Sequence, residues 1–149
     1  MRVMIAVDDS PCSQAALEFV KEVAWPSGTT VMVASSVELP VTAYAADYAA
    51  VNMDLGAWLD ELTKCHQQVV SRDETVLRSA GLRVASCVLQ GDPRDTLIDE
   101  ARRGRADLIV VGSHGRTGLD RLLMGSVASH VVTHAPCSVL VVKEARKQP

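Results

Sequence analysis

Short apolar runs alternate along the chain with longer stretches in which apolar residues recur every three or four positions. The short runs are continuous, which is typical of strands that are covered on both faces of a sheet. The longer stretches are typical of amphipathic helices. The runs predict five strands, at residues 3–7, 30–37, 83–89, 108–111 and 138–142.

Two of the helices begin with a recognisable pair of residues. Ser10-Pro11 and Asp92-Pro93 each combine an N-cap residue with a proline that suits the first helical position. A helix is therefore predicted to begin at each pair. The apolar residues predicted to face the core are Ala15, Ala16, Phe19, Val20 and Val23 in the first helix and Leu97, Ile98 and Ala101 in the second.

The remaining stretches predict two more helices, one from Leu55 to Gly81 and one over residues 126–133. Glycine suits the residue that follows a helix because it tolerates a left-handed backbone. Residues 38–54 show weak periodicity and are predicted to be a loop that leads into the helix at Leu55. Residues 143–149 are polar and are predicted to be a frayed tail.

Strands and helices thus alternate from one end of the chain to the other. This order predicts right-handed crossovers and a parallel sheet with helices on both faces. No change in composition divides the chain, so residues 1–149 are predicted to form a single doubly wound α/β domain.

The overall composition excludes several classes of function. A net charge of −3 and an aromatic content of 3% provide neither a cationic surface nor stacking platforms for nucleic acid. No apolar run approaches the roughly 20 residues of a membrane span. The N-terminal run reaches Asp8 and Asp9 before a signal peptide would be complete. We therefore predict a cytoplasmic protein with no nucleic-acid or membrane partner.

The cysteines and histidines do not form a pattern of metal ligands or catalytic groups. His130 and His134 are four residues apart without an evident third ligand, which favours surface or partner contacts over a metal site. Cys65-His66 has no nearby acid to orient it, so a catalytic pair is disfavoured. The cysteines lack a CxxC pair and are predicted to be free, mostly buried thiols. They are Cys12, Cys65, Cys87 and Cys137.

A glycine-rich segment follows the fourth predicted strand and carries the candidate chemistry. Residues 112–118 read Gly-Ser-His-Gly-Arg-Thr-Gly, and Gly125-Ser126 opens the last predicted helix. Glycines let main-chain N–H groups turn toward an anion, and a helix N-terminus adds partial positive charge. The segment therefore predicts a phosphate site, although glycines also serve simply to close a tight turn. It matches neither GxxxxGK[ST] nor GxGxxG.

Three side chains of this segment allow more than one interpretation. Arg116 and Arg121 either offset phosphate charge or are solvated surface residues. His114 either contacts the phosphate or caps the loop.

Asp8 and Asp9 follow the first strand and reach the same edge of a parallel sheet, where ligands bind. Adjacent residues at a strand end point opposite ways, so Asp9 is predicted to be solvated or to start the helix.

The spacing Gly112-x2-Gly115-x9-Gly125-Ser126 resembles the nucleotide-binding signature of the universal stress protein family. The first strand through Asp8 and its serine-capped helix resemble the opening of that family. The turn at residues 91–93 and the strands at 107–115 and 136–142 also match its pattern. Residues 38–54 have no clear counterpart.

This resemblance implies an adenine-nucleotide alpha-hydrolase-like fold with strand order 3-2-1-4-5 and ATP at the switch point between strands one and four. Gly112 and Gly115 would line the ribose and phosphates, and Gly125 and Ser126 would hold the phosphate tail. Asp8 would be repelled by phosphates unless it faces the ribose or shares a divalent cation, so Mg²⁺ is compatible with the site. The implied nucleotide-binding residues, together with those of the glycine segment, are Asp8, Ser36, Val37, Gly112, His114, Gly115, Arg116, Gly125, Ser126 and Val127.

Strand two departs from the family pattern at its end. Residues 34–37 read Ala-Ser-Ser-Val, where family members often have a histidine and a more apolar end. The adenine pocket, flanked by Ser36 or Val37, is therefore predicted to be more polar than usual.

The last strand is predicted to lie at the sheet edge, where its unpaired main chain invites another chain to pair. It is apolar, and the family resemblance also implies dimers, so an antiparallel homodimer is predicted through Val139, Leu140, Val141 and Val142.

Three functions are compatible with these residues. An ATP-binding regulator of the stress response is favoured, because no Walker lysine and no general base are evident. The alternatives are a nucleotide-free dimeric interaction module and, less favoured, a slow Mg²⁺-dependent ATPase. No catalytic residue is assigned.

Overall fold

The computed structural model describes residues 1–38, 55–115 and 124–144. Strands and helices alternate through these residues, as predicted, and the strand ends agree with the prediction to within one residue. The predicted loop at 38–54 lies outside the described residues apart from exposed Glu38, and so does the tail beyond residue 144. The elements are β1 (Arg2–Ala6), α1 (Pro11–Glu22), β2 (Thr30–Val37), α2 (Leu55–Ser79), β3 (Arg83–Gln90), α3 (Pro93–Arg103), β4 (Leu108–Gly112), α4 (Ser126–His134) and β5 (Ser138–Val142).

The strands form one parallel sheet in the order β3-β2-β1-β4-β5, which confirms the prediction. The centre of the sheet is β1, in which Ile5 lies opposite Val33 of β2 and Val110 of β4. These three side chains are fully buried. Continuous apolar runs form these strands because helices cover both faces of the sheet.

Side chains of alternate residues along β1 enter two separate cores. Val3 and Ile5 pack with α1 and α2 on one face of the sheet. Met4 packs with α3 and α4 on the other face, where Leu97 and Ala101 are also buried. The predicted inner face of α3 is therefore confirmed.

The predicted inner face of α1 is partly wrong. Phe19 is 39% exposed, whereas Leu17, which was not predicted to face the core, is buried. The buried stripe of α1 runs through Ser13, Ala16, Leu17 and Val20, which follow the three- and four-residue spacing of one helix face. Phe19 is adjacent to Val20 in sequence and so lies about 100° around the helix from it.

Both predicted helix starts are confirmed. The Ser10 hydroxyl accepts a hydrogen bond from the Ser13 N–H at 3.1 Å, and the Asp92 carboxylate accepts one from the Arg94 N–H at 2.8 Å. Pro11 and Pro93 occupy the first helical positions. Each cap satisfies an N–H group that the helix itself leaves without a partner.

The four cysteines are free thiols but are less buried than predicted. Cys65 is exposed on α2, and the other three are half-buried. Burial raises the pKa of the Cys87 and Cys137 thiols. Within the described parts of the chain, no helix is long and apolar enough to cross a membrane.

Candidate functional site

A cavity of about 620 Å³ opens at the carboxyl edge of the sheet. It lies over the ends of β1, β2 and β4. From β1 the chain proceeds through β2 to β3 on one side of the sheet, and it continues through β4 and β5 on the other. The strand order therefore reverses between β1 and β4, and the two connections leave the strand ends in opposite directions. Open parallel sheets bind ligands at this kind of crevice.

Most of the residues predicted to bind the nucleotide line this cavity. Val37 does not, since it is fully buried beneath the strand end, and Arg116 lies outside the described residues. The predicted residues that line the cavity are Asp8, Ser36, Gly112, His114, Gly115, Gly125, Ser126 and Val127.

Asp8 is held at the end of β1 by the start of α1. Its N–H donates to the Ser13 hydroxyl at 3.2 Å, and its Oδ1 accepts from the Ser10 N–H at 3.1 Å. Its Oδ2 lies against Gly115, where a Cβ atom would stand 2.7 Å from that oxygen. Only glycine at position 115 leaves the Asp8 carboxylate in this position.

The glycine segment is pinned close to the start of α4. The Gly125 N–H donates to the Ser113 carbonyl oxygen at 2.8 Å, and the Ser113 N–H donates to the Val142 carbonyl oxygen at 2.7 Å. The Ser10 hydroxyl donates to the His114 carbonyl oxygen at 3.3 Å. These bonds bring the start of α1, the ends of β4 and β5 and the start of α4 together, so glycines that are distant in sequence become neighbours.

The N-terminus of α4 is suited to an anion. Its N-cap is Gly125, which has no side chain to bond the free N–H groups, and its first turn contains no acidic residue. Gly125, Ser126 and Val127 line the cavity. The N–H groups that a helix leaves without an internal partner and the positive end of the helix dipole therefore face the same space.

The opposite side of the cavity joins β2 to α3. The Ser36 hydroxyl donates to the Gly91 carbonyl oxygen at 3.0 Å and lies 2.9 Å from the Thr96 hydroxyl. Leu97 and Pro93 of α3 add apolar surface to this wall. An apolar wall with few polar groups is the usual lining of a site for a flat organic ring.

One residue that sequence reasoning set aside contributes to this cavity. His66 of α2 is buried and lines it, and its Nδ1 lies 2.8 Å from the Ser35 hydroxyl. The signal was present in the sequence, because His66 is four residues before buried Val70 and falls on the apolar stripe of α2. Its sequence neighbour Cys65, with which His66 was considered as a catalytic pair, is exposed.

Charged groups outside the cavity tie α2 to the same turn. Asp9 has a left-handed backbone with φ of 64°, and its carboxylate lies 2.7 Å from the Arg72 guanidinium. Arg72 also contacts the buried carboxylate of Asp73 at 2.8 Å. Burial raises the pKa of Asp73, and the hydrogen bond from Arg72 opposes that shift.

The two histidines of α4 contact each other and α3. The rings of His130 and His134 stack with centroids 4.2 Å apart, and His130 Nε2 lies 3.6 Å from an Asp95 oxygen. Among the residues that the structure describes, no group of three or more His, Cys, Asp or Glu side chains could hold a metal ion.

The fold and this cavity define a doubly wound α/β protein whose candidate site lies at the switch point between β1 and β4. The model of the universal stress protein family matches residues 1–143, and the chain belongs to that family. It is 31% identical over 147 residues to universal stress protein A homolog 1 of Coxiella burnetii, an alignment that covers 94% of each protein. It is 38% identical over 96 residues to universal stress protein MJ0531 of Methanocaldococcus jannaschii, and this match covers 62% of the chain but only 56% of that relative.

Solved structures share the fold over nearly the whole chain. Protein MJ0577 of Methanocaldococcus jannaschii matches with a TM-score of 0.83 and 23% identity, covering 98% of this chain and 97% of that one. An Arabidopsis thaliana universal stress protein family member with AMP bound matches with a TM-score of 0.70 and 22% identity, covering 98% and 93%. The fold is therefore the adenine-nucleotide alpha-hydrolase-like fold, as predicted.

Proposed function

We propose that this protein binds ATP in the cavity at the carboxyl edge of the sheet and acts as a nucleotide-dependent regulator in the cytoplasmic stress response. The observation that carries the proposal is the convergence of Asp8, Gly115 and the uncapped N-terminus of α4 on one cavity. The cavity volume of about 620 Å³ is within the usual range for sites of small molecules and cofactors. A structural neighbour that binds AMP supports an adenine nucleotide as the ligand.

The orientation of the nucleotide follows from the charges on the two sides of the cavity. The phosphates would lie at Gly125 and Ser126, where the N–H groups of Ser126 and Val127 and the Ser126 hydroxyl could donate hydrogen bonds. The Asp8 carboxylate would accept hydrogen bonds from the ribose hydroxyls. The adenine would then lie between β2 and α3, beside Ser36 and Leu97.

Mg²⁺ would join the site through the phosphates. Magnesium in nucleotide sites is commonly held by one or two carboxylates together with phosphate oxygens. Asp8 and Glu38 are the carboxylates that line this cavity in the described residues, and Asp8 is the one at the end of β1. Binding of ATP is therefore expected to tighten when Mg²⁺ is added if Asp8 shares the ion, and to be unchanged if Asp8 contacts only the ribose.

A regulator is favoured over an enzyme because the described residues that line the cavity include no lysine or arginine. Rapid phosphoryl transfer would need such a cation to stabilise the charge of the transferring group, in addition to the positioning that the cavity offers. Sustained Mg²⁺-dependent turnover that is lost in Ser126→Ala would establish the slow ATPase instead.

We also propose a homodimer through β5, the edge strand next to β4. Val139, Leu140, Val141 and Val142 are only half-buried there, although all four are apolar. Pairing with a second β5 would satisfy the open main-chain edge and cover these side chains. Sedimentation velocity at micromolar concentration should give the mass of a dimer, and a monomer would contradict the proposal.

The deciding experiment is equilibrium binding of ATP to nucleotide-stripped protein, with and without Mg²⁺. Gly115→Val should abolish binding, because its side chain would fill the space against the Asp8 carboxylate. Ala80→Val is the matched control, since Ala80 is exposed just after the C-terminal end of α2, away from the cavity. No binding to folded wild-type protein would overturn the proposal and favour the nucleotide-free interaction module.

A further inference from the structure

Two apolar patterns are interrupted at the same place in the structure. Along β2, Val31, Val33 and Val37 are buried on the face toward α1 and α2, but Ser35 occupies the intervening position on that face. Ser35 is only 1% exposed. A valine would continue the pattern and remove a hydroxyl from the core, so the serine needs a partner to be tolerated there.

The partner comes from the matching interruption on α2. The face that α2 turns toward the sheet buries Val70 and Leu77 completely, yet one turn earlier it presents His66, which is 5% exposed. His66 Nδ1 lies 2.8 Å from the Ser35 hydroxyl oxygen. Each polar side chain therefore satisfies the other beside the buried apolar residues of β2 and α2.

The direction of these hydrogen bonds follows from the single proton of the serine. The Ser35 hydroxyl donates to the Val7 carbonyl oxygen at 2.6 Å. Its oxygen must then accept from His66, so Nδ1 of the imidazole carries a proton. The result is a directed chain of hydrogen bonds from α2, through β2, to the last residue before Asp8.

This chain of hydrogen bonds ends at a residue whose main chain is bonded to β2 through both of its polar groups. The Val7 N–H is bonded to the Ala34 carbonyl oxygen at 2.9 Å, so both polar groups of the Val7 main chain are held by β2. The next residue, Asp8, places its carboxylate against Gly115. A small rotation of the peptide at Val7 would move that carboxylate away from the ligand.

We propose that His66 is a positioning residue of the nucleotide site, which sets the Asp8 carboxylate through Ser35 and the Val7 carbonyl group. This inference rests on the proposed function, because it assigns a role in the same cavity. The proposed role explains why Ser35 and His66 are polar although they are buried. Replacing both partners of a buried hydrogen bond by apolar side chains of similar shape can be nearly neutral for stability, so stability alone does not require these two residues.

A second contact between α2 and this turn provides the matched control. Arg72 pairs with Asp9 at 2.7 Å, but the two side chains are 47% and 50% exposed. Exposed ion pairs contribute little, because water and salt screen them. Asp9→Asn removes this pair and tolerates the left-handed backbone at residue 9.

The test compares ATP affinity among Ser35→Ala, His66→Leu, His66→Asn and Asp9→Asn. Loss of one buried hydrogen bond at the site should weaken binding about tenfold in Ser35→Ala and His66→Leu. His66→Asn should retain most of the affinity, because its amide nitrogen replaces Nδ1 as a donor to Ser35. Asp9→Asn should bind as the wild type does.

The pattern separates positioning from a purely structural role. Rescue by asparagine but not by leucine, with all four variants melting cooperatively, supports the proposal. Equal affinity in His66→Leu and wild type would overturn it and leave ATP binding untouched. An affinity loss shared by His66→Asn and His66→Leu would also overturn it, since the donor to Ser35 would then be irrelevant. If wild-type protein binds no ATP, the proposed function fails and takes this inference with it.

Discussion

Gly112 at the end of β4 is in close contact with Cys12 in the first turn of α1. A Cβ atom at position 112 would stand 2.8 Å from the carbonyl carbon of Cys12 and 2.9 Å from its Cβ. The two residues are 100 positions apart in the sequence. Gly112 therefore allows α1 to pack against the sheet, whereas Gly115, three residues later, leaves room for the carboxylate of Asp8.

These different neighbours predict different consequences for alanine at the two positions. Gly112→Ala meets main-chain atoms of α1 that cannot move separately, so we expect a loss of about 1–3 kcal/mol in the free energy of unfolding. Gly115→Ala meets only the end of a side chain, so we expect a stability change within about 0.5 kcal/mol and a clear loss of ATP affinity. Urea unfolding and equilibrium binding measure the two effects.

The glycine prediction would be contradicted by the reverse pattern. A Gly115→Ala variant that is strongly destabilised, or a Gly112→Ala variant with wild-type stability, would mean that the close contacts do not decide these positions. A Gly115→Ala variant with wild-type affinity would contradict the role of the Asp8 carboxylate in binding.

The two helix caps predict a difference between stability and binding. Ser10→Ala and Asp92→Ala each remove an N-cap and should each cost about 1 kcal/mol of unfolding free energy. Only Ser10 also donates to the His114 carbonyl oxygen in the glycine segment. We therefore expect ATP affinity to fall in Ser10→Ala but not in Asp92→Ala. Urea unfolding checks that the two variants lose similar stability, and equilibrium binding then measures their affinities. Equal affinities would show that the Ser10 hydroxyl acts on the helix alone.

The buried carboxyl group of Asp73 should contribute less to the free energy of unfolding as the pH rises. Burial raises the pKa of its carboxyl group above the value of 3.8 in the unfolded chain. As the pH rises above that value, the unfolded chain loses this proton first, so the folded state loses stability until its own carboxyl ionises. Asp73→Asn has no carboxyl group that titrates at this position. The wild type should therefore lose stability relative to this variant from pH 3 toward neutrality.

The measurement is urea unfolding of both proteins over a series of pH values. Asp60→Asn is the control, since it removes an exposed carboxylate from the same helix. A wild-type protein that gains stability relative to Asp73→Asn over this range would show that Arg72 outweighs the burial of the carboxylate.

Ligand binding predicts a stabilisation whose size is set by mass action. ATP at 100 times its dissociation constant should raise the free energy of unfolding by about 2.7 kcal/mol if only the folded state binds it. The shift in thermal melting should follow ATP concentration in wild type and in Ala80→Val. It should be absent in Gly115→Val, and an equal shift in that variant would place the nucleotide elsewhere.

Much of the fold could be predicted because its signals are local. Continuous apolar runs and capping pairs depend on neighbouring residues, so the ends of β2 and β5 and the starts at Pro11 and Pro93 agree with the structure. Phe19 was placed wrongly, since periodicity alone does not decide which of two adjacent apolar residues meets the sheet. In α1 that residue is Val20, which lies over buried strands.

The candidate site was predictable only in part. Glycine spacing together with the alternation of strands and helices brought Asp8 and the glycine segment to the same edge of the sheet. His66 was not recognised, because its significance depends on Ser35, which is 31 residues away along the chain.

By itself, then, the sequence determined the order of the strands and helices along the chain, their caps and the edge of the sheet at which the candidate site lies. These features follow from periodicity and from the hydrogen-bonding needs of helix ends, which act between near neighbours. Only the tertiary structure decided that Gly112 serves the packing of α1, that Gly115 faces Asp8 and that His66 is bonded to Ser35. Those contacts join distant residues, and they arise only when strand register and helix packing bring the residues within a few ångströms of each other.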